Sequence, residues 1–191
     1  MRHAILVAAL ALASCVDEPR NLRLGFNSYW ASPVVLTEVL LNGQPVGFMP
    51  EVVAGRADNG EPRFPGGIYS IDYPPGNGEV RVKASWVELL TRRAYAAEVS
   101  APLDAFRRDE PDSIYIVPIF GPNGLLILMS DPHARSETDF DTNDVAQVCG
   151  TRTPEADTDF AARRNDYAGL EEALASDYPP VGAPVCPDPG G

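Results

Sequence analysis

Residues 80–86 read Val-Arg-Val-Lys-Ala-Ser-Trp, a strict alternation of apolar and polar side chains. Successive side chains of a strand point to opposite faces, so this pattern predicts a β-strand with one face in the core and the other in solvent. Trp86 is expected to be the largest core side chain that this strand contributes. The inward face is predicted to consist of Val80, Val82, Ala84 and Trp86.

Further strands are predicted on both sides of this segment. Residues 34–41 are apolar and rich in β-branched side chains, which is typical of a central strand covered on both faces. Asn42-Gly43 is a strong hairpin signal. Pro118 cannot donate to a ladder, so its strand is expected at a sheet edge or with a bulge. In total, strands are predicted at residues 22–27, 34–41, 46–49, 67–72, 80–90, 95–100, 113–120 and 125–130.

Seven or eight strands with turns at short intervals favour a mainly β fold, an antiparallel β-sandwich-like domain, over alternating βαβ units. We expect this domain to span residues 22–130. Residues 131–191 are acidic, then helical, then rich in Pro and Gly, and we expect them to pack on the domain as a C-terminal segment. Thr153-Pro154-Glu155 has the composition of a helix start. The apolar residues of one helical face are Phe160, Tyr167, Leu170, Leu174 and Tyr178.

The first residues have the layout of a secretory signal. Residues 4–11 are apolar and follow Arg2 and His3, and the run is shorter than the roughly 20 residues that span a bilayer. The small residues before Cys15 complete a pattern that resembles the bacterial lipoprotein box. This resemblance implies removal of residues 1–14 and acylation of Cys15, with residues 15–21 as a tether. The alternative is an ordinary signal peptide with a chance cysteine.

A lipid on Cys15 predicts attachment to a membrane, because two or three acyl chains hold a protein stably where one does not. The residue after Cys15 is Val16, whereas an aspartate at that position is the usual inner-membrane retention signal. We therefore expect the protein on the periplasmic side of the outer membrane, with the inner membrane as the alternative.

The chain is strongly acidic, with 27 Asp and Glu against 15 Lys and Arg and a formal charge of -12. A surface of this charge repels phosphate backbones and anionic lipids, so we expect no nucleic-acid partner and no membrane binding through basic residues. It would attract a basic protein or a cation instead.

The two cysteines that remain after Cys15 are Cys149 and Cys186. An exported pair of cysteines meets an oxidising compartment, and this favours a disulfide. Two free buried thiols are the alternative. A zinc site is less favoured, because no histidine lies near either cysteine.

The sequence gives little support for a catalytic or metal-binding site. His133 is the one histidine after residue 14, and no Gly-x-Ser-x-Gly elbow accompanies it, so we interpret it as a loop residue. Glu88 and the acidic residues of 104–112 show no pairing that suggests a cleft. Residues 139–144 resemble half of a calcium loop, but Asp144 stands where glycine is needed and Gly150 where glutamate is needed. We expect no enzymatic activity, no cofactor and no metal.

A protein-binding surface has more support. The loops at residues 50–67, 104–112 and 137–144 could face one partner, and the alternative is an ordinary solvated rim. Their Arg and Tyr residues are types that anchor interfaces, and their acidic residues suit a basic partner. The candidate partner-binding residues are Arg56, Arg63, Tyr69, Tyr73, Asp109, Asp139 and Asp141.

The order of strands and turns over residues 22–130 resembles a known family. Residues 25–28, Gly-Phe-Asn-Ser, lead through a strand to Leu41-Asn42-Gly43, and residues 80–86 lead to the later strands 113–116 and 125–130. This order is similar to that of small lipoproteins of Gram-negative bacteria that are encoded beside phospholipase effectors of type VI secretion. The resemblance implies a periplasmic immunity protein that binds a toxic effector enzyme and covers its active site. The runner-up is a structural or assembly lipoprotein of the envelope, and a hydrolase built on His133 is third.

Replacement of Cys15 by serine removes the thiol that would carry the lipid. We expect the wild type to incorporate labelled palmitate and to sediment with membranes, and Cys15→Ser to take up no label. Cys149→Ser is the matched control, because it also loses a thiol but keeps Cys15. A wild type that takes up no label, or that stays in the cytosol, would contradict the lipoprotein hypothesis.

Overall fold

The alternating segment forms the strand predicted for it. In the computed structural model, which describes residues 18–58, 65–110, 112–130 and 143–190, it lies within the ten-residue strand Glu79–Glu88. Arg81 and Lys83 are exposed on the opposite face from the core. The inward side chains Val80, Val82, Ala84 and Trp86 are at most 1% exposed.

The described residues contain thirteen strands, five of which have only two or three residues. Seven of the eight longer strands lie where strands were predicted, but the strand Asp144–Cys149 was not, and with it the sheets extend beyond the predicted domain of residues 22–130. The predicted return strand at residues 46–49 is absent, and pairing after the Asn42-Gly43 turn stops at Pro45. The strands are β1 Asn21–Gly25, β2 Asn27–Ser28, β3 Val34–Leu41, β4 Gln44–Pro45, β5 Glu51–Val53, β6 Ile68–Asp72, β7 Glu79–Glu88, β8 Ala94–Pro102, β9 Arg108–Glu110, β10 Ser113–Gly121, β11 Leu125–Met129, β12 Asp144–Cys149 and β13 Thr151–Arg152.

These strands form two sheets, which confirms the mainly β, sandwich-like fold. One sheet has the order β12-β11-β10-β1-β6, with β2 and β9 also paired to β10. The other has the order β13-β8-β7-β3-β4, with β5 also paired to β3. Pairing is antiparallel except where β1 and β2 run parallel to β10.

The main core lies between the two sheets and has Trp86 at its centre. The Trp86 ring stacks on Tyr95 of β8 at a centroid distance of 6.0 Å and meets the edge of Phe120 of β10 at 5.1 Å. Phe120 belongs to one sheet and Tyr95 to the other, so the indole joins the two layers. This cluster of side chains fixes how the sheets sit on each other.

One side of the sandwich is closed by a strand that passes from sheet to sheet. β12 is at the edge of the first sheet, and β13 follows it at the edge of the second. Gly150 lies between them, and a Cβ there would come within 3.2 Å of Trp86 and 3.0 Å of the Ala96 carbonyl. A side chain here would have to displace these neighbours by a few tenths of an ångström, so glycine suits the close passage of the backbone beside the indole.

Pro118 lies inside a sheet, so the expectation of an edge strand or a bulge there is wrong. β10 has β11 on one side and β1 and β2 on the other, and Pro118 pairs with Leu128. The Phe120 carbonyl accepts the Tyr29 N–H at 2.8 Å, so the backbone groups of Phe120 point toward the parallel strands β1 and β2. Pro118 is two residues earlier, and its backbone nitrogen and carbonyl therefore point to the same side. The register places Phe26 opposite it, in the gap between β1 and β2. Pro118 has no N–H to donate, and it lies opposite the position where the pairing of β10 with β1 and β2 is interrupted, so the ladder needs no donor there.

The C-terminal segment covers the outer faces of both sheets. Phe160 and Leu170 are buried against Val35 and Val87, on the outside of the second sheet. Cys186 is buried against Val117 and neighbouring side chains on the outside of the first sheet. Strand residues 34–36 are therefore covered on both faces, as predicted from their apolar sequence.

Helical structure in this segment is shorter than the sequence predicts. Between residues 151 and 190 it consists of two 3₁₀ turns, Pro154–Ala156 and Phe160–Arg163, and one α-helix, α1, Leu170–Ala175. Asp157 adopts an extended conformation and ends the first turn. Its carboxylate accepts the Ala94 N–H at 2.7 Å and pairs with Arg152 at 2.6 and 2.8 Å, and these contacts hold the chain out of a helix.

The chain is attached to the domain from the first described residue. The Glu18 carboxylate accepts the N–H groups of Gly76 and Gly78 at 3.1 and 3.0 Å. The Arg20 carbonyl accepts the Tyr73 N–H at 2.9 Å. The end of the predicted tether at residues 15–21 therefore lies against the turn that follows β6.

The structure confirms the predicted disulfide between Cys149 and Cys186. Asn123 donates its side-chain amide to the Cys186 carbonyl at 3.1 Å, and Arg93 pairs with Asp188 at 2.8 Å. The covalent link thus holds the Pro/Gly-rich tail against the first sheet, together with two polar contacts that are weak by themselves.

We expect the double variant Cys149→Ser/Cys186→Ser to lose roughly 3–4 kcal/mol of unfolding free energy, because the unfolded chain regains the entropy of an open loop. Urea unfolding followed by Trp86 fluorescence measures this loss. Val185→Ala, beside the disulfide and exposed, serves as the control and should unfold as the wild type does. Equal midpoints for the double variant and the wild type would show that the disulfide adds no stability.

Candidate functional site

The side of the sandwich opposite the β12–β13 crossing is open in the described part of the chain. β6 forms the edge of the first sheet there, and β4 and β5 form the edge of the second. Partly buried apolar side chains fill the space between these edges and pack on the main core. We call β6, β4, β5 and the residues between them the open edge. The side chains that fill it are Phe48, Met49, Tyr69 and Ile71.

Three aromatic rings form the centre of the open edge. Phe48 and Tyr69 stack with their centroids 3.8 Å apart and an interplanar angle of 20°. Phe26 meets the edge of Phe48 at 6.1 Å and lies 6.5 Å from Tyr69. Such ring pairs add about 0.5–1.5 kcal/mol each beyond the area that they bury, so the centre of the open edge is rigid.

A hydrogen bond joins the two sheet edges beside these rings. The Tyr69 hydroxyl on β6 donates to Oε1 of Glu51 on β5 at 2.9 Å. Burial raises the pKa of the Glu51 carboxyl, and the hydrogen bond from Tyr69 lowers it by a smaller amount. Oε2 of Glu51 is shielded from solvent and accepts no hydrogen bond from any described residue. This oxygen has spare acceptor capacity, which a donor from a partner would satisfy.

Two grooves lie along the open edge, one toward each end of β6. The first, which we call the Glu51 groove, has a volume of about 530 Å³ and runs between β5, β6 and α1. The second, the Tyr73 groove, has about 410 Å³ and runs between residues 44–48 and 71–75. The Glu51 groove is lined by Phe26, Glu51, Val53, Tyr69, Glu172 and Ala173. The Tyr73 groove is lined by Leu41, Val46, Phe48, Ile71, Asp72 and Tyr73.

Of the four predicted partner-binding residues that the structure describes, two lie at the open edge, Tyr69 and Tyr73. Tyr73 is buried, and its hydroxyl donates to the Glu79 carbonyl at 3.1 Å, so its ring forms a groove wall and not an exposed anchor. Arg56 lines neither groove, and its guanidinium lies 4.4 Å over the Trp30 ring. Asp109 belongs to β9, in another part of the first sheet. Arg63, Asp139 and Asp141 lie outside the described residues, as do Cys15 and His133.

The described parts of the three predicted partner-facing loops do not lie together. Asp104 and Asp144, from the two acidic loops, line one cavity of about 350 Å³ beside β12. Glu51, from the third loop, lies at the other edge of the sandwich, beside β6. These described acidic residues and the open edge therefore belong to separate surfaces.

Glu88 has a structural role that the sequence did not reveal. It is 3% exposed, and its carboxylate accepts the Gly124 N–H at 3.0 Å and the Thr91 hydroxyl at 2.7 Å. Burial raises the pKa of this carboxyl, and these donors partly offset the effect. Both oxygens accept hydrogen bonds, so Glu88 connects the β7–β8 turn to the β10–β11 turn.

Comparisons with known proteins identify no relative. No protein-family model matches the chain, and neither the curated proteins nor the solved structures gave a match. No grouping of three metal-binding side chains occurs within the described ranges. In the same ranges, no helix is both long enough and apolar enough to cross a bilayer. The function must therefore be argued from the site itself.

We expect Tyr69→Phe to raise the pKa of the Glu51 carboxyl further, because the variant removes the hydrogen bond that favours the carboxylate and keeps the ring that stacks on Phe48. The ¹³C shift of the Glu51 carboxyl, followed across a pH titration, measures this change. Tyr73→Phe is the matched control, since its hydroxyl donates to a backbone carbonyl and not to Glu51. A similar shift in both variants would contradict the assigned hydrogen bond.

Proposed function

We propose that this chain is a lipid-anchored binding protein on the periplasmic side of the outer membrane that neutralises a secreted lipase-type enzyme by covering its active site. The observation that carries the proposal is the open edge, a rigid aromatic surface bordered by carboxylates on a disulfide-bonded sandwich. The lipoprotein box before Cys15 supplies the location, and the resemblance to immunity lipoproteins supplies the class of partner.

The chemistry of the open edge suits recognition of a protein. Stacked aromatic rings offer a large contact area and lose little side-chain entropy when they bind, which is why they are common among interface anchors. Glu172 borders the Glu51 groove and Asp72 borders the Tyr73 groove, and both are exposed and offer acceptors for basic side chains. In the proposed mechanism these groups hold the partner in place, and no bond is made or broken.

The charge of the chain supports rapid capture of a basic enzyme. With a formal charge of -12, the domain would steer a basic patch toward itself, and salt would weaken this steering. Both partners would meet in the periplasm, and attachment to the membrane would keep the inhibitor close to the lipid that such an enzyme attacks. Inhibition would then need only that a rigid surface block access to the active site.

The proposal requires a gene for a secreted lipase-type enzyme beside the gene of this chain, and sequencing of the locus checks this first. The test itself is co-expression of that neighbouring enzyme, directed to the periplasm, with and without this protein. We expect cells with the wild type to survive, and cells with Cys15→Ser to survive less well because the inhibitor is no longer held at the membrane. Equal killing with and without this protein would refute the immunity function. Membrane pull-downs that recover only envelope machinery would favour an assembly lipoprotein.

A further inference from the structure

The backbone of β6 presents an unpaired edge within the described residues. β6 pairs with β1 on one side only, with Leu22 opposite Ile71 and Leu24 opposite Tyr69. The Tyr73 N–H donates to the Arg20 carbonyl, so Tyr73 and the alternate residues before it point their backbone groups toward β1. The backbone groups of the residues between them point away from the sheet. These outward residues are Ile68, Ser70 and Asp72.

This edge lacks most of the features that usually protect edge strands. β6 reads Ile-Tyr-Ser-Ile-Asp and contains no proline, lysine or glycine. Ile68 is 54% exposed, which is unusual for a large apolar side chain on a strand. Edge strands of this kind are templates for another strand, and proteins retain them where an added strand has a function.

The charges along the edge indicate what kind of strand would fit. Glu51 and Glu172 line one groove and Asp72 lines the other, while no arginine or lysine lines either groove in the described part of the chain. An incoming strand would place alternate side chains into the space between the sheets, where these grooves lie. Apolar side chains there would contact the Phe48 and Tyr69 rings, and basic ones would meet the carboxylates.

We propose that an extended, basic segment of the protein partner adds to the first sheet as a strand along the outer edge of β6. The inference rests on the proposed function and names the surface and the chemistry by which the partner is recognised. Backbone hydrogen bonds to Ser70 and Asp72 would supply much of the affinity, and the grooves and carboxylates would supply the selectivity. A second copy of this chain fits less well, because each copy would bring its own carboxylates to the shared edge.

The probe is a synthetic peptide of alternating valine and lysine with blocked ends, and a valine–glutamate peptide is its control. Ser70→Pro removes the outward N–H of β6 but leaves the residues that pair with β1, so the strand should be retained. Ser70→Val keeps that N–H and is the matched variant. We expect the lysine peptide to bind the wild type and Ser70→Val alike within about twofold, and Ser70→Pro at least about tenfold more weakly.

Hydrogen exchange gives a second measurement on the wild type alone. The lysine peptide should protect the amides of Ile68, Ser70 and Asp72, which point outward, more than it changes those of Tyr69 and Ile71. Equal binding by Ser70→Pro, equal binding of the glutamate peptide, or no protection of the outward amides would overturn the inference. So would a wild-type dimer that Ser70→Pro dissociates, because the edge would then belong to a second copy.

A third experiment tests the role of charge with substitutions at two exposed carboxylates, one at the open edge and one far from it. Asp72→Asn, at the open edge, should weaken binding of the lysine peptide and reduce its dependence on salt, while Glu98→Gln, on β8, should change neither. If Ser70→Pro protects cells as well as the wild type does, and no peptide binds at β6, this inference is refuted and the proposed function stands. If a peptide binds at β6 but the wild type does not protect cells, the proposed function is refuted and β6 remains a strand-binding edge.

Discussion

Burial of the Trp86 indole between the two sheets is the constraint on which the rest of the fold depends. The ring contacts Tyr95 in one layer and Phe120 in the other, and the backbone at Gly150 crosses directly over it. Burying one such side chain is worth about 1.5–3 kcal/mol, a large share of the roughly 5–15 kcal/mol by which a domain is stable. Sheet packing and the passage of β12 into β13 both follow from its position.

The two sides of the sandwich differ in how many contacts tie the sheets together. On the closed side, the β12–β13 crossing, the disulfide and the buried Glu88 hold strands and turns from both sheets together. On the open edge, the hydrogen bond from Tyr69 to Glu51 links β6 to β5, and apolar side chains remain partly exposed there. A domain that is fixed along one side can leave the other side unpaired without losing its fold.

The sequence was most informative where a single periodicity or composition determines the outcome. The alternation at residues 80–86, the strand at residues 34–41 and the disulfide all appear in the structure, although only residues 34–36 of that strand are covered on both faces. Features that depend on tertiary contacts were missed. Pro118 fits an interior strand because the facing ladder is interrupted at Phe26, and the burial of Tyr73 and Glu51 depends on strands that are distant in sequence. No local pattern distinguishes Glu51 from the other acidic residues of its loop, so the centre of the candidate site could not be predicted.

The contact of Glu18 with Gly76 and Gly78 determines how the domain would sit on its lipid. Two residues, Val16 and Asp17, separate Glu18 from Cys15, and the three residue steps between them span at most about 10 Å. If Cys15 is acylated as proposed, the Asp72 end of β6 must stay within a short distance of the headgroups, and the molecule has little freedom to swing. A lipase that docks along β6 would then be held close to the bilayer surface. This is the position at which the entrance to its active site must meet phospholipid. Inhibitor and substrate would thus compete for the same face of the enzyme.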